Sequence, residues 1–268
     1  MDTTRSEMSK TFKSHQLIHS MPDQRRHRGP HPEDTRLFAT NQVSALQAAT
    51  VDLRWLLDRH YALQSSLKLV GDRYTLTTRQ RTAVSRCVCT TDQQQRRWKN
   101  RLHDIGGTSE IWIDGYNVLT SIEAALSGGV MLCGHDGCLR DMASMHGSYR
   151  KVEETVPALQ LVGHHLTASG VGRVHWLLDE PVSNSGRLRS MMLELGKAEQ
   201  WPWEVELVPD PDPILAVCPH VIATADSEIL NQARSWYPLV NQLVQDAIPT
   251  AWIVDLSTSS VAVDSDQI

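Results

Sequence analysis

Ile111-Trp112-Ile113-Asp114-Gly115-Tyr116-Asn117 joins a short apolar run to an aspartate and a glycine turn, and a helical pattern over 118–126 follows at once. A brief apolar run bounded by turn formers reads as a strand buried on both faces. The pattern recurs. Trp176-Leu177-Leu178 leads to Asp179, and Val221-Ile222-Ala223-Thr224-Ala225 leads to Asp226. Further apolar runs stand at 205–208 and 252–254, with helical patterns at 152–166, 188–195, 227–236 and 239–247. Short buried strands alternating with helices predict an α/β fold over 109–256, a three-layer α/β/α domain with a mainly parallel sheet. Residues 128–141 interrupt the alternation and read as an inserted hairpin turning at His135-Asp136-Gly137.

Upstream of Gly106-Gly107, taken as a linker, the texture is helical. Val43, Leu46, Val51, Leu53, Leu56 and Leu57 recur at helical spacing over 41–68. Thr77 suits the N-cap of a second helix over 79–89, and 93–102 suits a third. This predicts a small all-α domain over 41–105, with Arg73, Arg79, Arg81, Arg86, Arg96, Arg97, Lys99 and Arg101 on its surface. Residues 1–40, with Arg25-Arg26-His27-Arg28 running into Gly29-Pro30-His31-Pro32, read as a disordered basic arm. Residues 257–268 read as a disordered tail. Trp55, Trp112, Trp176 and Trp252 lie in apolar runs and are assigned to the core.

The 268 residues carry a formal charge of −5, but unevenly. Residues 1–108 hold 18 Lys+Arg and 10 Asp+Glu, a net of +8, and the remainder is net −13. Such asymmetry points to nucleic-acid contact by the basic half. No apolar run approaches the ~20 residues of a membrane helix, and the polar N-terminus does not suit a secretory signal. Five irregularly spaced cysteines suit reduced thiols and a cytoplasmic location.

The chemistry is expected at the strand ends. In an open α/β sheet, ligands bind beyond the carboxyl ends of the strands, so Asp114, Asp179 and Asp226 can converge there. A single aspartate in such a place is often only the N-cap of the next helix. Three converging carboxylates repel unless a cation neutralises them, and hard oxygen donors suit Mg²⁺ or Mn²⁺. Cys133-Gly134-His135-Asp136-Gly137-Cys138 invites a zinc reading, but a structural zinc site needs four ligands in paired spacing.

Ile113-Asp114-Gly115-Tyr116-Asn117-Val118-Leu119 resembles the opening strand and Asp-Gly-x-Asn type turn of the PIN-like nucleases, especially their NYN branch. Thr224-Ala225-Asp226 resembles that superfamily's later strand-end motif, and Asp179 sits where a middle acidic ligand falls. More narrowly, residues 43–255 resemble an uncharacterised prokaryotic family joining a helical N-terminal domain to a PIN-like domain. That resemblance rests on Leu69-Val70-Gly71-Asp72-Arg73-Tyr74 with Arg79-Gln80-Arg81, on Ser127-Gly128-Gly129, on His146-Gly147-Ser148-Tyr149-Arg150-Lys151 and on Pro181-Val182-Ser183-Asn184-Ser185-Gly186-Arg187. The wider resemblance implies a metal-dependent nuclease in which Asp114, Asp179 and Asp226 bind the ion and Asn117 orients Asp114 or a water. The superfamily's fourth acid has no single match; Glu180, Glu228, Asp141 and Glu123 are candidates.

Basic and polar groups in the acidic half supply expected substrate contacts. Arg140, His146, Arg150 and Lys151 would hold phosphates, and Tyr149 would stack on a base. Ser183 and Asn184, ahead of a helix N-terminus, would assist. The expectation is an Mg²⁺- or Mn²⁺-dependent hydrolase acting on nucleic acid, RNA before DNA, with no membrane contact. The alternative is a non-catalytic nucleic-acid-binding protein on the same fold.

Overall fold

The computed structural model describes residues 28–143 and 149–257. The helical region contains α1 (Asp34–Leu37), α2 (Thr40–Leu57), α3 (Leu63–Arg73), α4 (Thr78–Cys87) and α5 (Thr91–Lys99). The α/β region follows with β1 (Glu110–Asp114), α6 (Gly115–Leu126), β2 (Val130–Cys133), β3 (Leu139–Asp141), α7 (Thr155–Ala168), β4 (Arg173–Asp179), α8 (Ser185–Ala198) and β5 (Trp203–Val208). It ends with α9 (Pro211–Ala216), β6 (Val221–Ala223), α10 (Ser227–Gln232), α11 (Leu239–Ala247) and β7 (Trp252–Asp255).

Four of the predicted runs form one parallel sheet in the order β5-β4-β1-β6. Side chains alternate between faces along each strand. Ile111, Ile113, Val174, Trp176, Leu178 and Ala223 enter one core with residues of α6, α7, α8 and α11. Leu177, Val208 and Ile222 enter another with residues of α9 and α10. Helices therefore cover both faces of a mixed α/β fold.

The fifth run is a correction. Residues 252–254 do not extend this sheet; β7 lies parallel to β2 in a second sheet of order β3-β2-β7. The β2–β3 hairpin forms about the expected turn, with Gly137 N–H donating to the Gly134 carbonyl at 2.8 Å. The second sheet is a party wall. Met131 faces the α/β core, whereas Val130, Leu132, Val254 and Leu256 pack with Leu46, Leu53, Ala83 and Val84 of α2 and α4.

The N-terminal region is helical, and two side-chain caps set its later boundaries. Thr77 and Gln80 close a reciprocal capping box on α4, as do Thr90 and Gln93 on α5. The pattern over 41–68 resolves into two helices, α2 and α3, separated by residues 58–62. The predicted arm is corrected over 28–40. Arg28 is buried against Glu123 at 2.9 Å, and Arg79 forks onto the buried Asp34 at 2.5 and 2.8 Å. A distant carboxylate, Glu123, and a distant guanidinium, Arg79, anchor this breaker-rich stretch. Residues 1–27 and 258–268, including most of the predicted arm and tail, lie outside the described residues. Trp55 is also corrected: it is 53% exposed, with the Arg59 guanidinium 3.6 Å from its ring centre. No helix among the described residues is long and apolar enough to cross a membrane.

Candidate acidic site at the carboxyl edge of the parallel sheet

Parallel pairing brings the strand ends level: Asp114 stands opposite Leu177, Asp179 opposite Val208, and Ile113 opposite Ala223. Along the edge the order of acids is Asp210 and Asp212 after β5, Asp179 ending β4, Asp114 ending β1, and Asp226 after β6. The turn after Asp114 needs glycine, because a Cβ at Gly115 would lie 2.6 Å from the Leu177 carbonyl oxygen. That close approach lets α6 start immediately beside β4.

Asp114 is 7% exposed and its Oδ2 accepts from Thr224 Oγ1 at 2.7 Å. Thr224 Oγ1 in turn accepts from Asp226 N–H at 3.0 Å, and Asn117 Oδ1 accepts from Ala225 N–H at 2.8 Å. Two of these hydrogen bonds stitch the loop after β6 to the end of β1 and the first turn of α6, and the third, from Asp226 N–H, lies within the loop. Asp226 spends Oδ1 on the N–H groups of Glu228 and Ile229, capping α10. The cap and the site role anticipated for Asp226 are compatible, since Oδ2 is not used in the cap.

The electrostatics set these carboxylates apart. Burial pushes Asp114 up to about 7; Asp212 and Asp226 push the same way, against the Thr224 hydrogen bond and the Asn117 backbone N–H. Asp179 is raised by burial and by Asp210. Asp212 is raised by burial, then by Asp226, Asp210 and Asp179. None of these five carboxylates forms an ion pair with a basic side chain among the described residues. No three His, Cys, Asp or Glu side chains among the described residues stand grouped as a metal-binding set. Asp212 stands on this edge and was not among the sequence candidates for a fourth acid, two of which, Glu123 and Asp141, are engaged elsewhere. Glu123 is buried beside Arg28, and Asp141 accepts from Ser121 Oγ and Ala143 N–H, each at 2.7 Å. The signal for Asp212 was present: Asp210 and Asp212 follow a fourth strand end, as the other acids follow theirs.

Two expected substrate contacts are corrected. Arg140 is buried, forks onto Asp136 at 2.9 and 2.7 Å, and donates from Nε to the Ala225 carbonyl at 2.8 Å. Arg97 reaches the same carboxylate at 2.5 Å, so it is not a surface residue either. Two arginines on one aspartate lock the hairpin to α5 and to the loop after β6. Tyr149 is 2% exposed, and its hydroxyl donates to Glu123 at 2.6 Å, so its ring is not free to stack on a base.

Arg150 is exposed and Lys151 half-buried, both ahead of the first turn of α7. Ser183 offers its carbonyl to Tyr149 N–H at 3.1 Å, and Asn184 Nδ2 donates to the Tyr149 carbonyl at 2.9 Å. Asn184 therefore fastens two loops together, at a left-handed φ of 71° that asparagine tolerates better than most residues. His146 lies outside the described residues.

Residues 45–99 match the family described as Protein of unknown function (DUF434). The chain is 30% identical over 206 residues to "Uncharacterized protein MJ0935" of Methanocaldococcus jannaschii, spanning 76% of this chain and 97% of that protein. No solved structure matches the chain. The model described as Domain of unknown function (DUF5616) matches residues 103–242, from the approach to β1 into the first turn of α11. With more than half its length in that match, and with the acidic edge inside it, the chain belongs to the DUF5616 family.

Proposed function

We propose that the protein is a divalent-metal-dependent nuclease, hydrolysing phosphodiesters in RNA before DNA, on a PIN-like α/β fold in the cytoplasm. The observation that supports this reading is the acidic edge, where β1 and β4 end in Asp114 and Asp179, Asp210, Asp212 and Asp226 follow the ends of β5 and β6, and no basic side chain among the described residues pairs with the group. The donors fit Mg²⁺ or Mn²⁺ in chemistry, being hard carboxylate oxygens in mutual repulsion, while no three of them among the described residues stand within reach of one ion, so binding requires them to draw together. Asp114, Asp179 and Asp226 would hold the ion, with Asp212 as a fourth acid.

When bound, such an ion supplies a nucleophile at neutral pH and stabilises charge on the phosphoryl group. The chain's own residues do the positioning. Thr224 fixes Asp114 through Oδ2, and the Asn117 backbone N–H also holds this carboxylate. Asn117 holds the Ala225 backbone and so sets where Asp226 stands. Arg150 and Lys151 bring positive charge to a half of the chain that is otherwise strongly acidic.

The test is cleavage of RNA and DNA panels by purified full-length protein, paired with thermal melts. Wild type is expected to cut in Mg²⁺ or Mn²⁺ and to melt higher with either ion, because a ligand that binds only the native state stabilises it. Asp114→Asn is expected to keep its circular dichroism spectrum and lose both responses. If wild type melts at the same temperature in chelator and in millimolar Mn²⁺, the nuclease reading gives way to a non-catalytic nucleic-acid-binding protein.

A further inference from the structure

A cleft of about 200 Å³ adjoins the acidic edge, and it is lined by Ser85 and Arg86 of α4, Asn117 and Ser121 of α6, and Asp226 and Ser227. Two of those residues, Asn117 and Asp226, belong to the acidic site. Two others come from the helical region. The cleft is thus where the two halves of the chain meet over the candidate chemistry.

Its donors are specific. Arg86 is half-exposed and gives one N–H, from Nη1, to the Asp141 carbonyl at 2.7 Å. Its remaining guanidinium N–H groups have no hydrogen-bond partner among the described residues. The Asp141 carboxylate is 4.0 Å from Arg86 and is already engaged by Ser121 and Ala143. Asn117 uses Oδ1 on Ala225, which leaves its Nδ2 donor group for the cleft. Ser85 and Ser227 add hydroxyls. A planar guanidinium with open N–H groups, beside an amide and hydroxyls, matches the oxygen atoms of a phosphate.

The placement is rigid. Arg86 stands in the last turn of α4, whose N-terminus is fixed by the Thr77 capping box and whose Ala83, Val84 and Cys87 are buried in the core shared with the second sheet. Arg140 closes the cleft from the other side, held by Asp136 and by the Ala225 carbonyl. A guanidinium carried on a packed helix is preorganised, so little side-chain freedom is lost when it binds.

We infer that this cleft holds a backbone phosphate of the polynucleotide next to the one being cut, with Arg86 as its main ligand and Asn117 Nδ2 assisting. The inference rests on the nuclease reading of the acidic edge. It gives the helical region a definite role: one wall of the substrate cleft, supplying a phosphate ligand. A phosphate here sits beside Asp226, so its binding is coupled to the cation that neutralises that carboxylate. By reciprocity, RNA then tightens the cation as much as the cation tightens RNA.

The experiment uses full-length protein and a labelled single-stranded RNA oligonucleotide, with inorganic phosphate and an unphosphorylated nucleoside as competitors. Arg86→Ala is expected to weaken RNA binding by about tenfold, the effect of a charge-assisted hydrogen bond. It is also expected to raise KM while kcat changes little, and to lower the slope of log Kd against log salt by about one. Arg86→Lys is expected to restore part of the affinity, and Arg36→Ala, an exposed residue paired with Glu33, to change nothing. Arg86→Gln, which keeps a donor for the Asp141 carbonyl, substitutes if Arg86→Ala does not fold. Competition by inorganic phosphate as strong as that by RNA would assign the cleft to a free anion and overturn the inference. Cleavage with unchanged KM and salt slope in the Arg86 variants would overturn it and leave the nuclease reading standing. Binding that depends on Arg86 but gives no cleavage in either metal would overturn the nuclease reading, and with it the placing of this phosphate next to a cut, while keeping Arg86 as a ligand of a polynucleotide phosphate. A wild type that neither binds nor cuts RNA would remove both.

Discussion

Asp114 and Asp136 are both buried aspartates, at 7% and 1% exposure, and they titrate in opposite directions. Burial alone drives a carboxyl upward in each case. At Asp136 that push is overcome by Arg140 and Arg97, which hold the group well below the usual carboxylate range. At Asp114 the neighbours are Asp212 and Asp226, which add to the push, and only a hydroxyl and one backbone N–H oppose it. One carboxylate is finished, with its charge cancelled inside the protein. The other keeps neighbours of its own sign. Burial is therefore a poor guide to function; the sign of what surrounds the buried charge discriminates.

The comparison breaks most forcefully at Asp136. Asp136→Ala leaves Arg97 and Arg140 buried without their shared anion. Denaturant unfolding is expected to show a loss of about 3–5 kcal/mol, the range for a buried ion pair stripped of one partner. Stability equal to wild type would mean that water reaches the two guanidinium groups.

Asp114→Asn is expected to go the other way, and the sign follows from linkage. Asp114 has a folded pKa raised from an ordinary 3.8 to about 7. Below 3.8 both states are protonated and the group costs nothing. As pH rises from 3.8 through about 7, the unfolded state ionises first, so metal-free wild type loses stability across that window. The amide removes the penalty, and metal-free Asp114→Asn is expected to be more stable than wild type at pH 8 by about 1–3 kcal/mol. Near pH 3 the two are expected to converge. Asp136 makes the opposite contribution, present above its ordinary pKa and lost only in stronger acid. Parallel pH profiles for wild type and Asp114→Asn would refute the assignment.

Thr224→Val sharpens the same contrast at smaller scale. It removes the hydroxyl that favours ionised Asp114, so the pH step in metal-free stability is expected to move upward. The accompanying loss of stability is about 1 kcal/mol, that of an ordinary hydrogen bond. An unshifted step would show that Thr224 serves the Asp226 backbone alone.

The strands of the main sheet were legible because short apolar runs closed by aspartate stand out from amphipathic helices. The hairpin turn at His135-Asp136-Gly137 was legible for the same local reason. What the chain does with its charges was not. Arg140 and Arg97 look like surface residues until the fold brings Asp136 between them, 39 positions from Arg97. Tyr149 resembles a stacking residue until Glu123, 26 positions earlier, takes its hydroxyl. Asp212 is harder to see because Pro209, Asp210 and Pro211 separate it from the apolar run of β5, although proline at the first position of α9 is favourable there. The run over 252–254 announced a strand but carried no label saying which sheet it joins.

The wall between the two cores also sets an order of events during synthesis. Gln47 Nε2 donates to the Asp255 carbonyl and Thr50 Oγ1 to the Leu256 carbonyl, across 208 and 206 positions of chain. The greasy side of α2 therefore emerges from the ribosome long before β7 exists to cover it. At ~5–20 residues per second, the wait is about 10–40 s. For that interval the nascent helices display Leu46, Leu53 and Val84 to solvent, a natural handle for chaperones and a hazard without them. A cut at Gly106-Gly107 would make the exposure permanent, so the helical half and the acidic half are expected to be inherited, expressed and degraded together.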